Sequence, residues 1–202
     1  METKTLSSSI KKIAVSYILI YLHINISVID ILPDWLGYFM IVSVLPILSE
    51  KEQSAGLLKP FGIAIGVWEI ISGVLKIADA QWNITLINFM FSIITIYFHF
   101  QLITNIAALD VEQSKRKRLL ALRTATVLLH TVLTLSVFIP TGIDNEIYSY
   151  SLMFIAVVQV AFCFWIAGEL FGLSKTMGYK ENKLDESPES LGESSEPENG
   201  TE

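Results

Sequence analysis

Phe61-Gly62-Ile63-Ala64-Ile65-Gly66-Val67-Trp68-Glu69-Ile70-Ile71-Ser72-Gly73 begins an apolar run that continues to Ala78 and carries one carboxylate, Glu69, about midway. A helix over residues 61–78 would rise roughly 27 Å, close to the ~30 Å hydrocarbon core of a bilayer. Its polar positions are too few to form a hydrated face, so it reads as a helix surrounded by lipid and other apolar helices. The whole chain has this character: 52% of its 202 residues are hydrophobic and 17% are charged, with a mean hydropathy of +0.53. A soluble domain carries about 25% charge.

Outward from this run, five further segments read as helices: 13–32, 34–48, 84–109, 119–139 and 147–173. The expectation is an all-α, polytopic transmembrane helical bundle of six spans over residues 1–174. The run after Lys11 and Lys12 has the outline of a signal peptide, but no small-x-small cleavage site follows it, so a retained first helix is expected. Residues 34–48 are the weakest span, because Trp35–Leu48 covers only about 21 Å as a helix; a re-entrant segment is the alternative. Residues 175–202 hold 3 basic and 8 acidic residues. Rich in Glu, Ser and Pro, they are expected to form a disordered acidic cytoplasmic tail.

Charge tests the count. With six spans, all of the 14 basic residues except Lys76 fall on one side. That side holds the N-terminal end, Lys51 and Lys59, the Lys115-Arg116-Lys117-Arg118 cluster with Arg123, and Lys175 onward. Loops rich in Lys and Arg stay in the cytoplasm, which places both termini there. Removing the short second span would move the N-terminal lysines to the other side.

Glu69 is the sharpest polar feature. A carboxylate at membrane depth is costly unless paired, protonated or used. His23 and His130 fall at comparable depth in their segments, and Gln159 lies midway along the sixth. Glu69 with a histidine could relay a proton, handle a solute or hold a cation; alternatively it is a hydrogen-bonded structural group. His99, near Gln101 and Asn105, reads as polarity at a helix interface. Gly62 and Gly66 have the four-residue spacing that permits close helix approach, which suggests a third helix at the bundle centre.

The most distinctive stretch is His23-Ile24-Asn25-Ile26-Ser27-Val28-Ile29-Asp30-Ile31-Leu32-Pro33-Asp34-Trp35-Leu36-Gly37-Tyr38. Pro33 suits the start of the second helix, Asp34 complements the helix dipole, and Trp35 and Tyr38 match anchors at the membrane surface. It reads as a tight hairpin between two spans, or as a ligand contact through Asn25, Asp30 and Asp34. The motif, with Asp30, Pro33, Asp34, Trp35, Gly37 and Tyr38, resembles the first hairpin of small uncharacterised multi-pass membrane proteins of Firmicutes and related bacteria. That resemblance covers residues 13–48. It implies a bacterial plasma-membrane location and brings no activity or catalytic residues.

No zinc-protease helix, paired cysteine motif, phosphate-binding glycine loop or nucleophile elbow is present. Cys163 is the sole cysteine. No catalytic residue, metal site or cofactor is therefore expected, and the acidic balance argues against nucleic-acid binding. The expected partners are membrane lipid and either a second copy or a larger membrane complex. Two readings remain: a small-solute or ion transporter using Glu69, and a non-catalytic scaffold or regulatory subunit.

Overall fold

The computed structural model describes residues 3–21, 25–26, 29–30, 34–78, 85–109, 111–136, 138 and 146–185. Its helices are α1 (Thr3–Tyr21), α2 (Asp34–Ser49), α3 (Lys59–Ile77), α4 (Thr85–Ala108), α5 (Gln113–Ser136) and α6 (Glu146–Asp185). Between α1 and α2, β1 (Asn25–Ile26) and β2 (Ile29–Asp30) make a two-residue antiparallel pairing. A 3-10 segment, Gln53–Leu58, runs into α3. The chain is an all-α bundle with four helical stretches long and apolar enough to cross a membrane: Gln53–Ile77, Thr85–Ala108, Gln113–Ser136 and Tyr148–Tyr179. α2 is apolar but shorter.

Each helix packs against its neighbours in sequence, and α1 closes the ring by its extensive contact with α6. Side chains fix which ends meet. Ser7 Oγ donates to the Ser174 carbonyl at 2.8 Å, Lys115 Nζ to Thr176 Oγ1 at 2.6 Å, and Arg123 Nη1 to Thr104 Oγ1 at 2.8 Å. The Asn105 amide joins the 3-10 segment to α4 through Ser54 Oγ and the Ala55 N–H. The starts of α1, α3 and α5 thus share one end of the bundle with the finishes of α2, α4 and α6. Lys51, Lys59 and Lys115–Arg118 lie at this basic end. At the opposite end, Tyr148 Oη donates to the Ser136 carbonyl at 3.1 Å.

Three expectations about the helices need correction. The apolar run 13–32 suggests the first helix, but α1 spans Thr3–Tyr21. The His23–Ile29 run is rich in β-branched residues with Asn and Ser, which favour extended or turn backbone over helix. Lys11 and Lys12 consequently lie midway along α1, both exposed, with Lys12 Nζ reaching Ser43 Oγ at 3.1 Å. Second, α6 continues to Asp185, so the first part of the region expected to be unstructured is helical. Buried Ser174 and Met177 pin that extension to the bundle. Residues 186–202 lie outside the described residues. Third, α3 is a member of the ring: its outward stripe of Ile63, Val67, Ile70, Ile71, Val74 and Ile77 is exposed, as suits a lipid-facing side.

The core is concentrated at the basic end. Buried positions in α3 stop at Gly66, those in α4 begin at Phe98, those in α5 stop at Thr126 and those in α6 begin at Gln159. Among the described residues, only α1 and α2 carry burial along most of their length. They touch at Gly37, where an added Cβ would lie 2.5 Å from Ile20 Cγ1 and 3.0 Å from the Ser16 carbonyl oxygen. The expected small face of α3 is used similarly: Gly62 meets Val42 and Phe98, and Gly66 meets the Phe39 ring.

Candidate functional site

Where α3, α4 and α5 lose their buried positions, a cavity of about 420 Å³ opens against the α1–α2 pair. The helical period puts Glu69, Ser72 and Lys76 on one face of α3, one and two turns apart. All three line the cavity. α4 contributes Asn88, Ser92 and Thr95 at similar spacing, α5 contributes His130, and Asp34 and Tyr38 come from the first two turns of α2. The apolar part of the lining includes Ile20, Leu75 and the rings of Tyr21, Trp68 and Phe91.

Exposure is graded along this space. Lys76 and Asn88 are exposed, whereas Asp34, Glu69, Ser72, Ser92, Thr95 and His130 are half-buried. At the bottom lies Tyr38, only 4% exposed. Behind it, His99 Nε2 is 3.3 Å from Tyr38 Oη, and His99 Nδ1 is 3.0 Å from Tyr17 Oη. A neutral imidazole has one N–H donor and one acceptor nitrogen, so one tyrosine hydroxyl accepts while the other donates. Both polar atoms of the ring are thereby satisfied in an interior where an unpaired group would be costly. Rings fill the space around this link: Tyr17 meets His99 edge-on with centroids 5.2 Å apart, and Phe98 meets Tyr38 at 6.0 Å.

This aromatic layer joins α1, α2 and α4 and separates the cavity from the apolar core. On the core side, Ile10, Ile13, Ile41, Leu45, Leu102, Ile103 and Ile106 are all essentially inaccessible. At the side of the cavity, α3 and α4 are bridged by a Trp68–Phe91 stack with centroids 4.7 Å apart and rings 4° from parallel. Phe61 and Tyr97 bridge the same helices edge-on at 5.4 Å.

Glu69 and His130 both line the cavity, together with Asp34 and Tyr38 from the hairpin motif. The side chains of His23, Asn25, Asp30 and Pro33 lie outside the described residues. Trp35 is half-buried and meets Phe39 edge-on at 6.2 Å. Gln159 is buried, does not line this cavity, and its Oε1 has no hydrogen-bond partner among the described residues. Tyr38 is an interior residue bonded to His99, which corrects its reading as a surface anchor. In sequence, His99 reads as interface polarity and nothing distinguishes Tyr17. Only the helical spacing of Tyr17 and Tyr21 was visible in sequence; nothing there indicates that they meet residues in α2 and α4.

Among the described residues, no group of three or more His, Cys, Asp and Glu side chains is placed to hold a metal ion. Outside the cavity, Arg118 Nη1 lies 3.9 Å from Glu169 Oε1. Arg123 lies over the Phe100 ring, 4.0 Å from its centroid. Both tie α5 to a neighbouring helix at the basic end. No protein-family model, curated protein or solved structure matches the chain.

Proposed function

We propose that this protein resides in a bacterial plasma membrane, crosses it six times with both termini cytoplasmic, and admits a small polar solute or ion from the outer side into the cavity around Glu69. The orientation rests on the positive-inside rule applied to the Lys51, Lys59 and Lys115–Arg118 end. The location follows from the resemblance of the first hairpin. The observation that carries the functional reading is the one-sided cavity: a polar lining in the outer half, closed below by Tyr38, His99 and Tyr17. Polar groups at membrane depth are expensive, and they are kept where a pathway or ligand uses them.

The geometry suits alternating access, with the cavity open outward and the basic half closed. Passage inward would require the aromatic layer and the core beneath it to part. Glu69, about midway along α3, is the group placed to recognise the solute or to carry a coupled proton.

Purified wild-type protein and E69Q, reconstituted into proteoliposomes, test this reading. The wild type is expected to give solute- or proton-dependent flux. E69Q is expected to insert and fold normally with flux at least about tenfold lower, because a charge-assisted contact is lost. Unchanged flux in E69Q, or recovery of the protein in a stable complex with no flux of its own, favours the scaffold or regulatory-subunit reading.

A further inference from the structure

We infer that the cavity around Glu69 is a binding site for a small organic cation, an amine or quaternary ammonium compound. The inference rests on the solute-handling reading above and specifies its chemistry. Size is the first argument. At about 420 Å³ the cavity falls within the range of small-molecule sites and far exceeds the oxygen cage of a dehydrated metal ion. Among the described residues, no three or more His, Cys, Asp or Glu side chains are grouped to form such a cage.

Charge and its placement give the second argument. Two carboxylates, Asp34 and Glu69, line the half-buried part, whereas Lys76 lies on the exposed part. The same charge acts more strongly where water is scarce than where solvent screens it. Lys76 lies two turns beyond Glu69 on the same face of α3, toward the exposed rim. The half-buried part of the site thus presents carboxylates to an incoming cation, and the rim is mixed in charge.

The third argument is the nature of the wall. Trp68, Phe91, Tyr21 and Tyr38 contribute aromatic surface beside the carboxylates. Aromatic faces attract organic cations and accommodate their alkyl groups, a combination that a simple inorganic cation does not need. Ser72, Ser92 and Thr95 supply hydroxyl groups for an ammonium N–H or a ligand hydroxyl.

Full-length protein in lipid nanodiscs can be titrated calorimetrically with choline and n-butylamine, and with acetate and glucose as anionic and neutral probes. At least one ammonium probe is expected to bind, and E69Q should weaken it by about tenfold or more, as expected for losing a charged partner. K76E changes an exposed position and is expected to fold; it should strengthen ammonium binding several-fold, providing a second readout should E69Q fold poorly. Binding of acetate or glucose in place of both ammonium probes would overturn the cation assignment while leaving solute binding intact. No binding by either ammonium probe up to millimolar concentration, or ammonium binding unchanged in both E69Q and K76E, also overturns it. Glu69-dependent flux of another solute would separate that result from failure of the solute-handling reading.

Discussion

The basic half and the opposite half of this bundle use the same helices differently. In the basic half, Leu45, Leu58, Leu102, Ile106, Leu122 and Leu170 pack with little or no exposure. In the other half, α3, α4 and α5 have no buried position among the described residues, and polar side chains line the space between them. Tyr17, His99 and Tyr38 lie at the division. The difference teaches that hydrophobicity alone does not make a packed interior in a membrane bundle: Val74, Leu86 and Met90 are as apolar as the core residues, yet face outward. In lipid, apolar residues gain little by leaving their surroundings, so shape complementarity and polar satisfaction determine where helices close together.

Truncation should separate the halves most strongly. L45A and L102A remove fully packed side chains and should cost about 2 kcal/mol or more, whereas V74A and L86A should cost less than about 0.5 kcal/mol. Unfolding in mixed micelles reads both pairs; equal losses would erase the distinction. H99F probes the boundary. It leaves two buried tyrosine hydroxyls without their shared partner, for an expected cost of about 1–3 kcal/mol. Adding Y17F and Y38F should recover part of that loss, measured as a non-additive cycle.

Two glycines sharpen the comparison further. G37A places a methyl group against the Ser16 carbonyl and Ile20, and should lower stability by about 1–3 kcal/mol. Gly73 has nothing within 4 Å of an added Cβ, so G73A should be neutral or stabilising by up to about 1 kcal/mol through helix propensity. Arg118 should show the smallest effect. Its contact with Glu169 is 3.9 Å long and its own side chain is 70% exposed, so R118A should change stability by less than about 1 kcal/mol, with the difference shrinking in salt.

Much of the fold was legible in the chain. Continuous apolar runs identified α2 to α5 to within several residues at each end, because lipid tolerates few charges over a helix length. Apolarity alone does not place the first helix, because a window includes Ile24, Ile26, Val28 and Ile29 without registering that β-branched residues interspersed with Asn and Ser resist helix. The end of α6 is hidden for the opposite reason: residues 174–178 look polar, but tertiary contact with α1 extends the helix through them. Of the site, Glu69 and His130 were recognisable as polar groups inside apolar runs. Tyr17, Tyr38 and His99 were not, since each alone is an ordinary member of a membrane helix.

The sequence determined that the chain partitions into lipid as helices, which end carries the positive charge, and that Glu69 lies within an apolar segment. These are sums of local transfer energies, and each can be read from a window of residues. Tertiary structure decided that the helices form a closed ring, that they seal at one end and part at the other, and that a histidine in α4 lies between tyrosines from α1 and α2. Such outcomes depend on the crossing of distant helices, where a glycine can admit a neighbour's backbone and one imidazole can satisfy two hydroxyl groups at once.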